Sequence, residues 1–188
     1  MFVQNGDFWK MASDIPTLCA RVERGGMIVL DNIAPIANAV RNVEGGVRTL
    51  PPVARGLIAS VVAREVARNT GQDIPSWVTM LDALTMSLRA SLTATDRIKA
   101  TETISAKDRA RLIRAAAQVE ADQPRFERLA TFMEAAPGKV RRVPAAVVPA
   151  ARRDAFLQTL ADQAGAIRRA LAAMPDLSRD LRALTDDA

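Results

Sequence analysis

The densest run of chemically capable side chains is GKVRRVPAAVVPAARR, residues 138–153. It holds Lys139, Arg141, Arg142, Arg152 and Arg153 and no acid. The whole chain has a formal net charge of +5, so this one segment carries as much net charge as the entire protein. Guanidinium groups meet phosphate in a bidentate fork. Five phosphate contacts, four from Arg and one from Lys, would give a log–log salt slope on duplex DNA of roughly −4 to −5. Nucleic-acid or anion contact is therefore one expectation for the segment. No aromatic residue interleaves the cations, so base stacking is not expected. A solvated linker, its Arg pairs balancing acids on neighbouring helices, is the plainer alternative.

Carboxylates are the other reactive groups. Asp96, Glu102 and Asp108 cluster in sequence, and Glu120 and Asp122 lie close together further on. Basic neighbours (Arg97, Lys99, Lys107, Arg109) surround the first group, so helix caps and surface pairs are the simpler reading. The chain has no His, which removes Ser-His-Asp triads, Cys-His dyads, His-ligated zinc and an imidazole base. Cys19 is the one cysteine and has no partner for a disulfide or a CxxC pair. It reads as a small core residue. No GxxxxGK[ST] or GxGxxG loop occurs. No catalytic residue, metal or cofactor is expected.

Any such side chains must be held by helices. Ala, Arg, Leu, Met and Gln are frequent, aromatic residues make up only 4%, and no long stretch alternates apolar with polar. The expected fold is all-α: an irregular helical bundle of about six helices, with a basic Pro/Ala linker and a C-terminal amphipathic helix. A first helix is expected over about 14–24, broken by Gly25-Gly26. A second runs over about 27–43, with Pro35 as a kink and Gly45-Gly46 at its end. Pro51-Pro52 opens a third and Gly71 closes it. Ser76 caps a fourth, about 77–93. Ser105 with Asp108 three residues on makes a capping-box-like start for a fifth, about 106–121. Pro124 starts a sixth that Ala136-Pro137-Gly138 stops. After the linker a long helix over about 151–174 carries Phe156, Leu160, Ala164, Ile167, Leu171 and Met174 at helical spacing, and Pro175 ends it. The organisation expected is an N-terminal helical arm (1–50), a central bundle (51–137), a linker (138–150) and a C-terminal helix or hairpin (151–188).

Two further features bear on function. EVARNTGQDIPSWVTML, residues 65–81, resembles a helix-turn-helix in its turn glycine and capped second helix. The second helix offers only Asp82 and Arg89 as charges over 76–89, a poor base-reading surface, so an ordinary αα-hairpin is the simpler reading. The other feature is apolar surplus. MIVLDNIAPIANAV (27–40), the helix 77–93 and the stripe on 151–174 hold more apolar helix surface than a lone 20.3 kDa chain is expected to hide. The Phe8-Trp9 pair and the Gly-Gly breaks make the first 50 residues look like an adaptable arm. The leading expectation is a non-enzymatic structural or adaptor subunit that assembles with itself or other chains. Its interface residues would be Ile28, Ile33, Ile36, Phe156, Leu160, Ile167 and Leu171. The alternative is a nucleic-acid-binding protein using 138–153, alone or with the helix-turn-helix-like hairpin at 65–81. No stretch spans a membrane and no secretory signal is apparent, so a cytoplasmic or intracellularly assembled location is expected.

Overall fold

In a computed structural model the described residues are 6–48, 52–142 and 150–186, with side chains described over 15–38, 60–142 and 150–186 except 152. They form five α-helices and no strand: α1 (Gly6–Arg48), α2 (Pro52–Thr70), α3 (Ile74–Thr101), α4 (Ala106–Val140) and α5 (Ala150–Asp186). The fold is all-α, with fewer and longer helices than punctuation alone predicts. The Phe8-Trp9 side chains, the linker stretch 143–149 and the Arg152 side chain lie outside the described residues.

Five expected breaks are absent: Gly25-Gly26 and Gly45-Gly46 lie inside α1, Pro124 and Pro137-Gly138 inside α4, and Pro175 inside α5. Gly25 and Gly26 lie inside α1 because neighbouring helices approach there. A Cβ on Gly25 would stand 3.3 Å from the Leu177 Cβ of α5, and one on Gly26 would stand 3.0 Å from a Leu92 methyl of α3. Pro35, Pro124 and Pro175 are also internal, and all three are exposed. A proline inside a helix costs about 3 kcal/mol and leaves the carbonyl four residues back without its donor. For Pro35 and Pro124 that carbonyl belongs to Asp31 or Glu120, both exposed, where water can take the donor's place. Breaking α5 at Pro175 would also divide the buried run Leu171, Met174, Leu177, Leu181. Pro137 and Gly138 likewise sit within α4, which reaches Val140, so residues 138–140 are helix and not linker.

Other boundaries follow the sequence. Asp73, and not Ser76, caps α3: its carboxylate accepts the Ser76 N–H at 2.8 Å. Ser105 caps α4, its Oγ accepting the Asp108 N–H at 3.1 Å. Gly71 follows α2 with φ +75°, a left-handed conformation that favours glycine.

α1, α3, α4 and α5 form a ring of four in which each helix packs on two neighbours and the diagonals stay apart. Cross-helix ties give the directions. Arg21 meets Asp180 and Arg169 meets Asn32, so α1 and α5 are antiparallel. Lys99 meets Glu23 and Leu92 meets Gly26; Trp77 stacks edge-on against Phe126 and Arg97 meets Asp108; Arg182 meets Glu120 and Arg168 meets Glu134, so the other three seams are antiparallel too. α2 lies against α4, tied by Lys139 to Glu65 at 2.7 Å and by Arg128 donating to the Thr70 carbonyl at 3.0 Å.

One buried cluster draws on all four ring helices, including Cys19, Val22, Val29, Ile33, Leu84, Leu88, Phe126 and Ile167. The expected N-terminal arm and C-terminal hairpin both contribute to that core. Buried Ser91 and Thr95 donate to the carbonyls of Leu88 and Ser91 at 2.7 and 2.9 Å, so their hydroxyls are satisfied.

Candidate functional site

The apolar candidates divide sharply. Ile33, Ile36, Leu160, Ile167 and Leu171 are buried within the chain. Ile28 is 39% exposed and Phe156 is 52% exposed. Ile28 follows the half-exposed Met27 and lies between Gly25 and Asn32, two residues that touch α5. Phe156 stands four residues before Leu160, in line with the stripe that leads into the core. Other exposed large apolar residues (Val61, Met86, Ile113) are scattered over α2, α3 and α4.

The basic candidates do not form a free run. Lys139 is on α4 and pairs with Glu65, whose carboxyl it holds below the usual range. Arg141 and Arg142 are exposed at the turn after α4. Arg153 is half-buried in the first turn of α5.

The 65–81 hairpin is present, but its second helix is α3, a member of the ring. Trp77 is 1% exposed and its indole N–H donates to Thr70 Oγ1 at 2.9 Å. That bond ties the end of α2 to the start of α3. The outward residues of this stretch, among them Pro75, Ser76, Thr79 and Ala83, carry no cation before Arg89.

The carboxylates prove to be structural hubs. Asp108 accepts from Arg97 of α3, from Ser105 Oγ at 2.7 Å and from Arg111 at 3.3 Å. Arg97 above all, then Ser105, holds its carboxyl down at about 2. Asp122 is wholly buried and accepts from Gln118 at 2.6 Å and Arg125 at 3.0 Å. Burial pushes its carboxyl above the usual range despite those partners. Cys19 is buried as well, and burial raises its thiol. Among the described residues no three His, Cys, Asp or Glu side chains are grouped to hold a metal. An open groove of 320 Å³ between α2 and α4 is lined by Glu127, Arg128 and Phe132 among others. Its charged groups are already engaged, Glu127 by Arg168 and Arg128 by the Thr70 carbonyl.

One surface escaped the sequence reading. Lys107, Arg111, Arg114, Gln118 and Arg125 recur at helical spacing along α4, on the side where Arg97 of α3 reaches Asp108. Lys107 and Arg114 are exposed. Segment charge sums hide this face, because they count Asp108 and Asp122 against it although both are buried. The signal that finds it is the 4-3 spacing of Lys107, Arg111 and Arg114, continued four and eleven residues on by Gln118 and Arg125.

Among the described residues no helix is long and apolar enough to cross a membrane. No protein-family model, curated protein or solved structure matches the chain.

Proposed function

We propose that the protein is a non-enzymatic helical structural or adaptor subunit that docks on a second copy of itself or on another protein chain. The observation that carries this reading is the course of the α5 stripe. It runs buried through Leu171, Ile167 and Leu160 and then ends on Phe156, an aromatic side chain left 52% exposed. Burying a fully exposed Phe is worth about 1.5–3 kcal/mol, so covering the exposed half of Phe156 is worth about 1 kcal/mol, and aromatic side chains are enriched at interfaces. Ile28 and Met27 on α1 supply a second uncovered apolar pair. Sedimentation velocity over a hundredfold dilution tests the reading, with pull-down for a heterologous partner. Wild type is expected to associate and Phe156→Asp to dissociate with its melting temperature unchanged. A monomer at every concentration, with no captured chain whose binding needs Phe156, overturns it.

A second reading, phosphate contact through residues 138–153, is supported by the exposure of Arg141 and Arg142. Retention on heparin that falls when both are replaced by Ala tests it.

A further inference from the structure

We propose that the basic face of α4, with Arg97 of α3 beside it, is a docking surface for the phosphate backbone of duplex DNA. The inference does not rest on assembly through Phe156 or on residues 138–153. Lys107, Arg111, Arg114 and Arg125 share one side of a continuous helix. Arg97 joins them, because it and Arg111 bind the same Asp108 oxygen. Residues 107 to 125 span about 27 Å at 1.5 Å per residue, about eight base pairs of duplex.

The counter-charge is small. Asp108 is shared between two arginines, and Asp122 meets Arg125 from a wholly buried position. Lys107 and Arg114 have no ion-pair partner among the described residues. Of the nearby acids, Glu120 is engaged by Arg182 of α5. Asp96 and Glu102 are exposed near the end of α3.

Shape and composition select the ligand. Between the cations the outer surface of α4 carries the exposed alanines Ala110, Ala117 and Ala121, and Gln118 is turned to Asp122, which leaves room for a broad rail of phosphates. No aromatic residue stands among the cations, which favours a duplex over a single strand that needs stacking platforms. A lipid surface would call for an apolar insertion face beside the charges. Here the exposed large apolar residues of α3 and α4 are the isolated Met86 and Ile113.

Fluorescence anisotropy of the full chain with a labelled 20-base-pair DNA duplex tests the proposal across a salt series. Wild type is expected to bind with a log–log slope of about −3 to −5. Lys107→Glu with Arg114→Glu is expected to weaken binding at least tenfold and to flatten the slope by about 2. If that variant melts early, Lys107→Gln with Arg114→Gln serves, with a smaller loss in the same direction. Arg141→Ala with Arg142→Ala should leave duplex binding unchanged, and so should Phe156→Asp. The proposal is overturned by any of four results: no duplex binding at 50 mM salt, a loss confined to the Arg141/Arg142 variant, tighter binding of the matching single strand, or capture by phosphatidylserine vesicles in place of the duplex.

Discussion

Asp108 and Asp122 lie about four turns apart on the same buried stripe of α4, and each has an arginine three residues on. Their charge states nevertheless move in opposite directions. Asp108 sits in the first turn, where the helix dipole favours an anion, and a guanidinium from another helix reaches it. Asp122 sits in mid-helix with partners from α4 alone, Gln118 and Arg125, and has no solvent-accessible surface. Local ion pairs at i,i+3 therefore do not decide the outcome in this molecule. A partner brought in by tertiary packing, together with the helix terminus, keeps one carboxylate charged, while burial without them works against the charge of the other. The first ties α3 to α4; the second ties α4 only to itself.

The largest effect expected from this contrast is at Asp108. Asp108→Ala removes the Arg97 tie, the Ser105 bond and the Arg111 contact together. A loss of about 2–3 kcal/mol is expected in urea unfolding. An equal or greater loss in Asp122→Ala would break the comparison. Ser105→Ala removes the cap and the Oγ bond to the Asp108 carboxylate but leaves both arginines in place, and should cost about 1 kcal/mol.

The same contrast marks what sequence makes legible. The Ser105–Asp108 cap, the Pro52 start and the Gly71 end are local chemistry, and all three hold. Gly25-Gly26 and Pro124 read as breaks in the sequence, but their meaning is tertiary: Leu177 and Leu92 need the space beside α1, and exposed Pro124 faces water. A helical stripe such as Phe156–Met174 reveals that a face is covered but not by which chain. The chain's own core covers Leu160, Ile167 and Leu171 and leaves Phe156. The α4 cations were invisible to charge sums for the same reason, since burial of Asp108 and Asp122 is decided by packing.

Acid titration of stability sharpens the comparison, with opposite signs at the two sites. Asp108 has a lowered folded value of about 2, so its stabilisation is present above the unfolded carboxylate value and disappears as pH falls through about 2. Asp122 has a raised folded value, so its contribution is most favourable when protonated and is lost as pH rises through that value. Chemical denaturation between pH 3 and 7 should therefore find the Asp108→Asn deficit largest at neutral pH and shrinking in acid. The advantage of Asp122→Asn over wild type should likewise be greatest at neutral pH and vanish in acid. A deficit in Asp122→Asn that grows toward neutral pH would mean that its charged form is the stabilising one.

The smallest effect is the most discriminating. Removing one member of a buried ion pair normally costs several kcal/mol, because the other charge is left stranded. At Asp122 that penalty should not arise. The Arg125 side chain is 38% exposed and can turn to water, and an amide at 122 can still bond Gln118. What remains is relief from burying a carboxylate, so Asp122→Asn should change stability at pH 7 by no more than about 0.5 kcal/mol, in the stabilising direction. It also frees Arg125, which should leave duplex binding unchanged or tighter. A loss above about 1.5 kcal/mol would make Asp122 an anchor like Asp108, and the four turns between them would no longer separate two kinds of buried acid.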